Sequence, residues 1–408
     1  MKVIVIGAGV VGMATAYYLV RHGVDVVVVD EQSNAGEGTS KGNGAQLCYN
    51  YVAPLAGPGV IGKLPTWLTD RDSPVRFSPT LDVHQWLWCL EFLRRCNRRD
   101  SERTTQSLLK LSHLSSNLMA EFSSEVPINF DYTTEGKLVV YSNLNSFESA
   151  KQQAQLQKTH GSNQFVIGPR ECLDMEPTLG PIGKKLVGGI FTPDDHTADA
   201  HLFCRELNDY LSEAHASYQF ASGHKVNSII THGNKATGIR TNNGDMYADA
   251  VIVATGITTN PLLRTVGLRV PIYPIRGYSI TLSIQDKAKL PRISVTDYDE
   301  RIVYAPIGAR LRVAGIADIG GYAKQIDLRR IAVLEAQARQ VYPVSKHENL
   351  SPWCGLRPAT PAGLPIYGQS SIEGLFLNVG HGALGWTLAL ATGHIVASDV
   401  LSILPRNP

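Results

Sequence analysis

"KVIVIGAGVVGMATAYYLVRHGVDVVVVD", residues 2–30, is the stretch whose reading sets the fold class. After Lys2 the first segment is apolar to Ile6, the pattern of a short buried strand. Gly7-x-Gly9-x-x-Gly12 then leads into "MATAYYLVRHG", whose apolar positions recur at three and four and which stops at Gly23, a helix C-cap. "DVVVVD", Asp25 to Asp30, is a second continuous apolar run closed by an acid. Strand, helix and strand in this order make a β-α-β unit, the building block of a parallel sheet.

The glycines follow a strand and open a helix, the context in which the pattern has a physical meaning. Gly7 permits the tight turn, Gly9 lets a pyrophosphate approach the backbone, and Gly12 lets helix and strand pack closely. The helix N-terminus adds unpaired N–H groups and its positive dipole end. Asp30 stands at the end of the second strand, where a carboxylate accepts hydrogen bonds from ribose hydroxyls. An acid there disfavours a 2′-phosphate and sets NADP aside. FAD and NAD both stay open at this point.

Working outward, the other end of the chain carries "NVGHGALGWT", residues 378–387, with Gly380, Gly382 and Gly385. Glycine clusters at opposite ends of 408 residues suggest one bound object held from both ends of the sequence. "TSKGNGAQL" (39–47) and "ADAVIVATG" (248–256) add two further small-residue turns. A simple NAD enzyme needs the first β-α-β unit alone for its pyrophosphate. A three-ring flavin has to be gripped along its length, and that draws on remote loops.

Between these ends, 85–99 and 104–126 read as helices, 136–142 as a strand, the region from 218 as a β-meander, 272–318 as further strands and 327–343 as a helix. A chain of 408 residues with 43% hydrophobic and 18% charged residues is expected to bury a large core in two domains. The net charge of +2 points to no nucleic-acid partner. Six cysteines without C-x-x-C spacing, and no leader ahead of the first strand, give the expectation of reduced thiols in a cytoplasmic protein. No apolar run reaches the roughly 18 residues a bilayer span requires.

The motifs taken together resemble the FAD-dependent amine oxidoreductases of the D-amino acid oxidase superfamily, and within it the bacterial D-amino acid dehydrogenases of the small-subunit type. The resemblance rests on "GAGVVG" with Asp30, "TSKGNGAQ", "ADAVIVATG", "GLRPATP" and "GHGALGWT". It extends through "YVAPLAGPGV" (51–60), "GGIFTPDDHTADAHLF" (188–203) and "PIYPIRGYSI" (271–280). It implies an α/β (α+β) protein with a Rossmann-like FAD-binding domain and a substrate domain built on a mixed or antiparallel sheet. Residues 1–84, 196–265 and 349–408 would form the FAD-binding domain, and 85–195 and 266–348 chiefly the substrate domain. FAD is expected to be noncovalent, since Cys354 stands one residue out of register with the tether of some relatives.

The implied cofactor residues are Gly7, Gly9, Val10, Val11, Gly12, Asp30, Glu31, Ser40, Asn43, Gln46, Val226, Thr255, Gly256, Arg357, Gly380, His381, Gly382, Gly385 and Thr387. The implied activity is oxidative deamination of a D-amino acid. The α-hydrogen leaves as hydride to flavin N5, and the imine is hydrolysed to a 2-oxo acid and ammonia. A cyclic substrate such as a D-hydroxyproline would stop at the imine. A quinone or another acceptor would take the electrons. A glycine- or sarcosine-type oxidase using O2 and a flavin-bearing electron-relay subunit are the other readings.

An amino-acid substrate calls for an arginine, whose guanidinium matches a carboxylate bidentately. Arg357 in "GLRPATP" takes that role by resemblance, with Arg276 as a second candidate and Tyr51, Tyr278, Tyr304 and Tyr49 as candidate pocket tyrosines. Four departures from the family pattern bear on the substrate side. Ala362 stands where Asp is common, Asn43-Gly44-Ala45-Gln46 swaps the two small residues, Arg276 replaces Lys before Gly-Tyr, and "LCYNY" replaces "ISPGY". The acids and histidines of Asp194, Asp195, His196, Asp199 and His201 are read as loop and helix-cap residues, with no metal. Trp86, Trp88, Leu90 and Phe92 beside Arg94, Arg95, Arg98 and Arg99 offer an aromatic–basic helix of the kind that makes peripheral contact with the inner face of an anionic membrane.

Overall fold

The computed structural model describes every residue except 51, 53, 71–72, 285, 287–288, 343–348 and 404–408. The two runs that opened the reading form the strands Lys2–Ile6 and Asp25–Val29, joined by the helix Val10–Arg21. They pair in parallel from Lys2 with Asp25 to Ile6 with Val29. The helix stops where Gly23, at φ +75°, turns the backbone into the left-handed region that glycine tolerates.

These strands lie in a six-stranded sheet. Its order is Ile366–Gln369, Leu375–Val379, Ala250–Val253, Lys2–Ile6, Asp25–Val29, Tyr218–Ala221, and all pairings but the first are parallel. Both faces are covered, which is why the strands read as unbroken apolar runs. Val3, Val5, Val26 and Val28 pack under helices that contribute Phe122, Phe203 and Trp386. On the opposite face Ile4, Ile6, Val27 and Val29 meet Ile229, Ala236 and Ile239 of the antiparallel meander Val226–His232, Lys235–Thr241, Gly244–Tyr247. Tyr218–Ala221, expected in that meander, is the edge strand of the parallel sheet instead.

The second sheet has nine strands, mostly antiparallel, with Leu350–Ala359, Tyr273–Ser283, Arg310–Ile319 and Ile302–Ile307 adjacent at one side. The helix Leu328–Val341 seals its far face through Ile331, Leu334 and Ala338. Two strands cross the expected segment boundaries. Val75–Phe77 pairs with Ala317–Ile319, and Leu350–Ala359 pairs with Tyr273–Ser283, so both belong to this sheet. The helix Arg98–Glu125 crosses in the other direction. Its apolar stripe, including Leu118, Met119 and Phe122, is buried with the parallel sheet.

Polar caps set the ends of the middle helices. Asp82 accepts from the His84 N–H and starts the helix Val83–Arg95, and Asn97 accepts from the Asp100 N–H and starts Arg98–Glu125. The closing helix Gly385–Ile403 follows Gly382–Leu384, and the span Gly382–Ile403 is long and apolar enough to cross a bilayer by length and composition, which the count of apolar runs missed. Its residues Trp386, Leu390, Val396 and Val400 are buried in the same core as the helix Val10–Arg21. It is a core helix.

Candidate active site

In the parallel sheet Lys2–Ile6 is central. The chain winds to one side through Asp25–Val29 and to the other through Ala250–Val253, so a crevice opens beyond the carboxyl ends of these strands. Gly7, Asp30, Ala254 and Gly380, each the residue after a strand, line a single cleft of about 1740 Å³. Every cofactor residue expected from the sequence lines that cleft except Gly12. Gly12 sits behind it, where a Cβ would overlap the Gly7 carbonyl.

The backbone of the first turn is built around missing side chains. Gly7 has φ +104°, and a Cβ on it would lie 2.6 Å from the Ala254 carbonyl oxygen. Ser40 Oγ accepts from the Val10 N–H at 3.1 Å, tying the loop 39–47 to the helix N-terminus. Asp30 braces the same turn, accepting from the Ala8 N–H at 2.7 Å and from the Gln32 N–H at 2.9 Å. Burial pushes the Asp30 carboxyl up from the ordinary range, while these N–H groups hold it down. Each oxygen keeps a lone pair for a hydroxyl at the cleft.

The loop 39–47 is fastened to the nine-stranded sheet. Arg312 donates to the Asn43 carbonyl at 2.7 Å, Ser279 to the Gly42 carbonyl at 2.9 Å, and the Gln46 amide to Ser294 Oγ at 2.6 Å. Burial draws the Arg312 guanidinium down to about 10. The swapped small residues have a visible consequence. Asn43 Oδ1 accepts from the Ala45 N–H, and the left-handed φ of +61° falls on Ala45 rather than Gly44. An L-residue there carries a strain of about 1–2 kcal/mol.

Opposite this loop, alternation along paired strands decides which side chains meet the cleft. Ile275, Gly277 and Ser279 pair with Arg357, Gly355 and Trp353, and these share one face. The Arg357 guanidinium lies over Gly277, where a Cβ would come within 2.6 Å of its Cζ. Trp353 likewise fills the space that side chains at Gly42 and Gly355 would need. Arg357 lines the cleft and has no hydrogen-bond or ion-pair partner among the described residues. Its enclosure disfavours the charged form and lowers its pKa.

The same alternation corrects three expectations. Arg276 does not line the cleft, because it is out of phase with Gly277; it stands opposite Asp318 in the strand register, and its Nη1 lies 3.5 Å from the Tyr278 hydroxyl. Tyr278 borders the cleft, but its ring packs in the core with Ile280 and Leu334, and its hydroxyl donates to Asp318 at 2.9 Å. Asp318 is also ion-paired with Arg76 and Arg330. Tyr304 is fully buried in that core against Tyr342, while its neighbour Val303 faces the cleft. Tyr49 is a core residue too, and Tyr51 lies outside the described residues.

His381 lies at the cleft floor within the C-terminal glycine loop. Thr392 Oγ1 lies 2.9 Å from its Nε2 and 3.1 Å from the Leu388 carbonyl oxygen. Burial pulls this histidine down to about 3, so it stays neutral at working pH. The Asp194–His201 group is consumed structurally. Asp195 accepts from the Tyr49 and Asn50 N–H groups, Asp199 caps the helix Ala200–Ala214 and pairs with Arg310, and His201 meets Glu37. Among the described residues no three metal-ligating side chains come together. Cys354 Sγ meets the Lys324 carbonyl at 3.0 Å.

A glycine-lined turn at a helix N-terminus, a carboxylate at the end of the second strand and a second glycine loop in the same cleft fit FAD. The chain matches the family model described as FAD dependent oxidoreductase over residues 2–398. It is 41% identical over 416 residues to D-amino acid dehydrogenase 2 of Ralstonia nicotianae, covering 99% of this chain and 97% of that one. It is 41% identical over 417 residues to D-amino acid dehydrogenase 2 of Pseudomonas aeruginosa, covering 100% and 98%. Among solved structures, glycine oxidase from Bacillus cereus superposes with a TM-score of 0.76 at 19% identity, over 99% of this chain and 96% of that one. L-Proline dehydrogenase from P. horikoshii gives 0.73 at 16%, over 97% and 92%, and both show the shared fold. The chain is a member of the FAD-dependent oxidoreductase family, an enzyme that uses FAD.

Proposed function

We propose that the protein oxidises D-amino acids as a dehydrogenase, with Arg357 holding the substrate carboxylate. The observation that carries this reading is the unpartnered guanidinium over Gly277, inside the cleft that holds the glycine loops. The D-amino acid dehydrogenases at 41% identity support it along the whole chain. When bound, noncovalently, FAD supplies the two-electron acceptor for the α-hydrogen. The chain's own part is positioning. Arg357 fixes the carboxylate, Gly277 leaves room for the guanidinium to lie flat, and the neutral His381 adds no charge to the floor.

The amine enters as the free base, and its lone pair assists departure of the α-hydrogen. The resulting imine takes up water to give the 2-oxo acid and ammonia. A cyclic secondary amine such as a D-hydroxyproline gives a ring imine by the same loss.

The test is anaerobic mixing of the yellow holoenzyme with D- and L-amino acids, glycine, sarcosine and both hydroxyproline series. Bleaching by D-amino acids that recovers slowly in air is the expected result. Bleaching by glycine or sarcosine alone with immediate recovery means an oxidase, and no bleaching by any of them means a relay subunit. Either overturns the reading.

Electrons then pass to an acceptor in a membrane, a quinone, and the surface supports this. Of nineteen exposed large apolar side chains among the described residues, nine fall between Leu55 and Leu93. Trp86, Leu87 and Leu90 are each at least half exposed on one face of the helix Val83–Arg95, while Trp88 and Phe92 are buried on the other. Arg94, Arg95, Arg98 and Arg99 follow, all exposed. An apolar face flanked by cations suits an anionic bilayer. The protein is expected to float with phosphatidylglycerol vesicles and not with phosphatidylcholine vesicles, and Leu87→Glu with Leu90→Glu to cut that binding at least tenfold. Equal recovery with both vesicle types would remove the membrane from this account.

A further inference from the structure

Arg357 also lines a second, small and largely apolar recess of about 130 Å³ that adjoins the cleft. We propose that this recess receives the substrate's side chain and makes the enzyme selective for branched aliphatic amino acids, an inference that rests on Arg357 as the carboxylate anchor. The recess and the cleft have Arg357, His381 and Ala317 among their common lining residues, so the two spaces adjoin at the guanidinium. Its walls are Trp88, Phe92, Leu108, Ile275, Ala359 and Leu384.

Apart from Arg357, the polar side chains at these walls have partners in the protein. The Trp88 indole N–H donates to the Ala359 carbonyl at 2.9 Å, so its ring presents carbon to the space. Thr360 Oγ1 donates to the Leu364 carbonyl at 2.7 Å and accepts from the Gly363 N–H at 3.1 Å. His381 is neutral and engaged with Thr392. Arg357 is the one charged wall residue, at the mouth. A charged or hydroxylated side chain would be desolvated there without a partner.

Trp88 and Phe92 stack at 5.1 Å with an interplanar angle of 11° and are both buried, forming the wall toward their own helix. The volume decides the size class. A dry apolar cavity of about 150 Å³ holds benzene, so 130 Å³ takes the side chain of valine, leucine or isoleucine and leaves an aromatic ring at the limit.

Two independent measurements test this. The first is anaerobic flavin bleaching with D-alanine, D-valine, D-leucine, D-phenylalanine and D-aspartate. D-leucine is expected to exceed D-alanine in kcat/KM roughly 50-fold, about fourfold for each added buried carbon, with D-aspartate below both. Ala359→Leu and Ala317→Leu, which fill the recess from different strands, should each lower the leucine-to-alanine ratio at least tenfold. The second needs no turnover. The oxidised holoenzyme is titrated with acetate and isovalerate, following the flavin spectrum, and isovalerate should bind on the order of 50-fold tighter.

A leucine-to-alanine ratio near one that neither filling variant changes, or equal affinity for acetate and isovalerate, overturns the inference. If no amino acid bleaches the flavin, the dehydrogenase reading fails. The carboxylate titration still reports on the recess in that case, so the two failures are distinguishable.

Discussion

Arg357→Ala should lower kcat/KM for the best D-amino acid about 10³-fold, which is ~4 kcal/mol of lost transition-state stabilisation. The guanidinium is in place before any substrate arrives, lying flat over Gly277 with no partner among the described residues. A bidentate carboxylate contact supplies both binding energy and the orientation of the α-C–H. Its removal therefore affects kcat as well as KM. Arg357→Lys keeps the charge but not the fork, and about a 10²-fold loss is expected.

Stability supplies the second readout. An arginine that paired two parts of the fold would leave a buried carboxylate stranded on removal, at about 3–5 kcal/mol. Arg357 has no such carboxylate among the described residues, and its enclosure already disfavours its charge. The apoprotein of Arg357→Ala is thus expected to melt at the wild-type temperature or above it, the usual behaviour of a residue kept for function at the expense of stability. Anaerobic single-turnover bleaching and thermal melts of the apoproteins check the pair of outcomes. Lost activity together with a strongly lowered melting temperature would assign Arg357 to the architecture.

The contrast between Arg357 and the tyrosines shows where sequence was legible and where it was not. Backbone-controlled features came through well. A strand end, a glycine needed for a turn and a helix start are local, and "GAGVVG", "TSKGNGAQL" and "NVGHGALGWT" all reach the one cleft. Side-chain direction did not. The strand Ile302–Ile307 is largely buried on both faces, so its composition carries no alternation to tell Val303, at the cleft, from Tyr304, in the core. In Arg276-Gly277-Tyr278 the residue that meets the site is the glycine, whose missing side chain accommodates Arg357 from the neighbouring strand. That pairing spans 80 positions of sequence, and no local pattern announces it. The helix Arg98–Glu125 shows the same limit at the level of domains, since its amphipathic stripe signals burial without naming the sheet it covers.

Gly9→Val and Gly12→Val, three residues apart in one motif, should fail in different ways. Gly9 has φ −74° and ψ 176°, extended backbone that any residue adopts, and the nearest atom to a Cβ there is Ser40 Oγ at 3.3 Å. Nothing nearby in the fold demands glycine at 9, and the space in front of it is cleft. Valine should leave the apoprotein folded, with about 1 kcal/mol lost from a weaker helix N-cap, while filling the approach of the pyrophosphate and weakening FAD binding at least 10³-fold.

Gly12 is the reverse case. Its Cβ would overlap the Gly7 carbonyl and lie 3.5 Å from Ala254 Cβ, so valine forces the helix Val10–Arg21 away from the sheet that it covers. Overpacking of this kind costs about 1–3 kcal/mol, more where backbone has to move. The comparison has to be made between apoproteins, because bound FAD stabilises the wild type by mass action and would make Gly9→Val look unstable for want of ligand alone. Flavin absorbance per protein and apoprotein melting together read the result. A Gly9→Val apoprotein that melts as low as Gly12→Val would mean that the first turn is a packing motif throughout, and that the cleft in front of Gly9 is not where the dinucleotide lies.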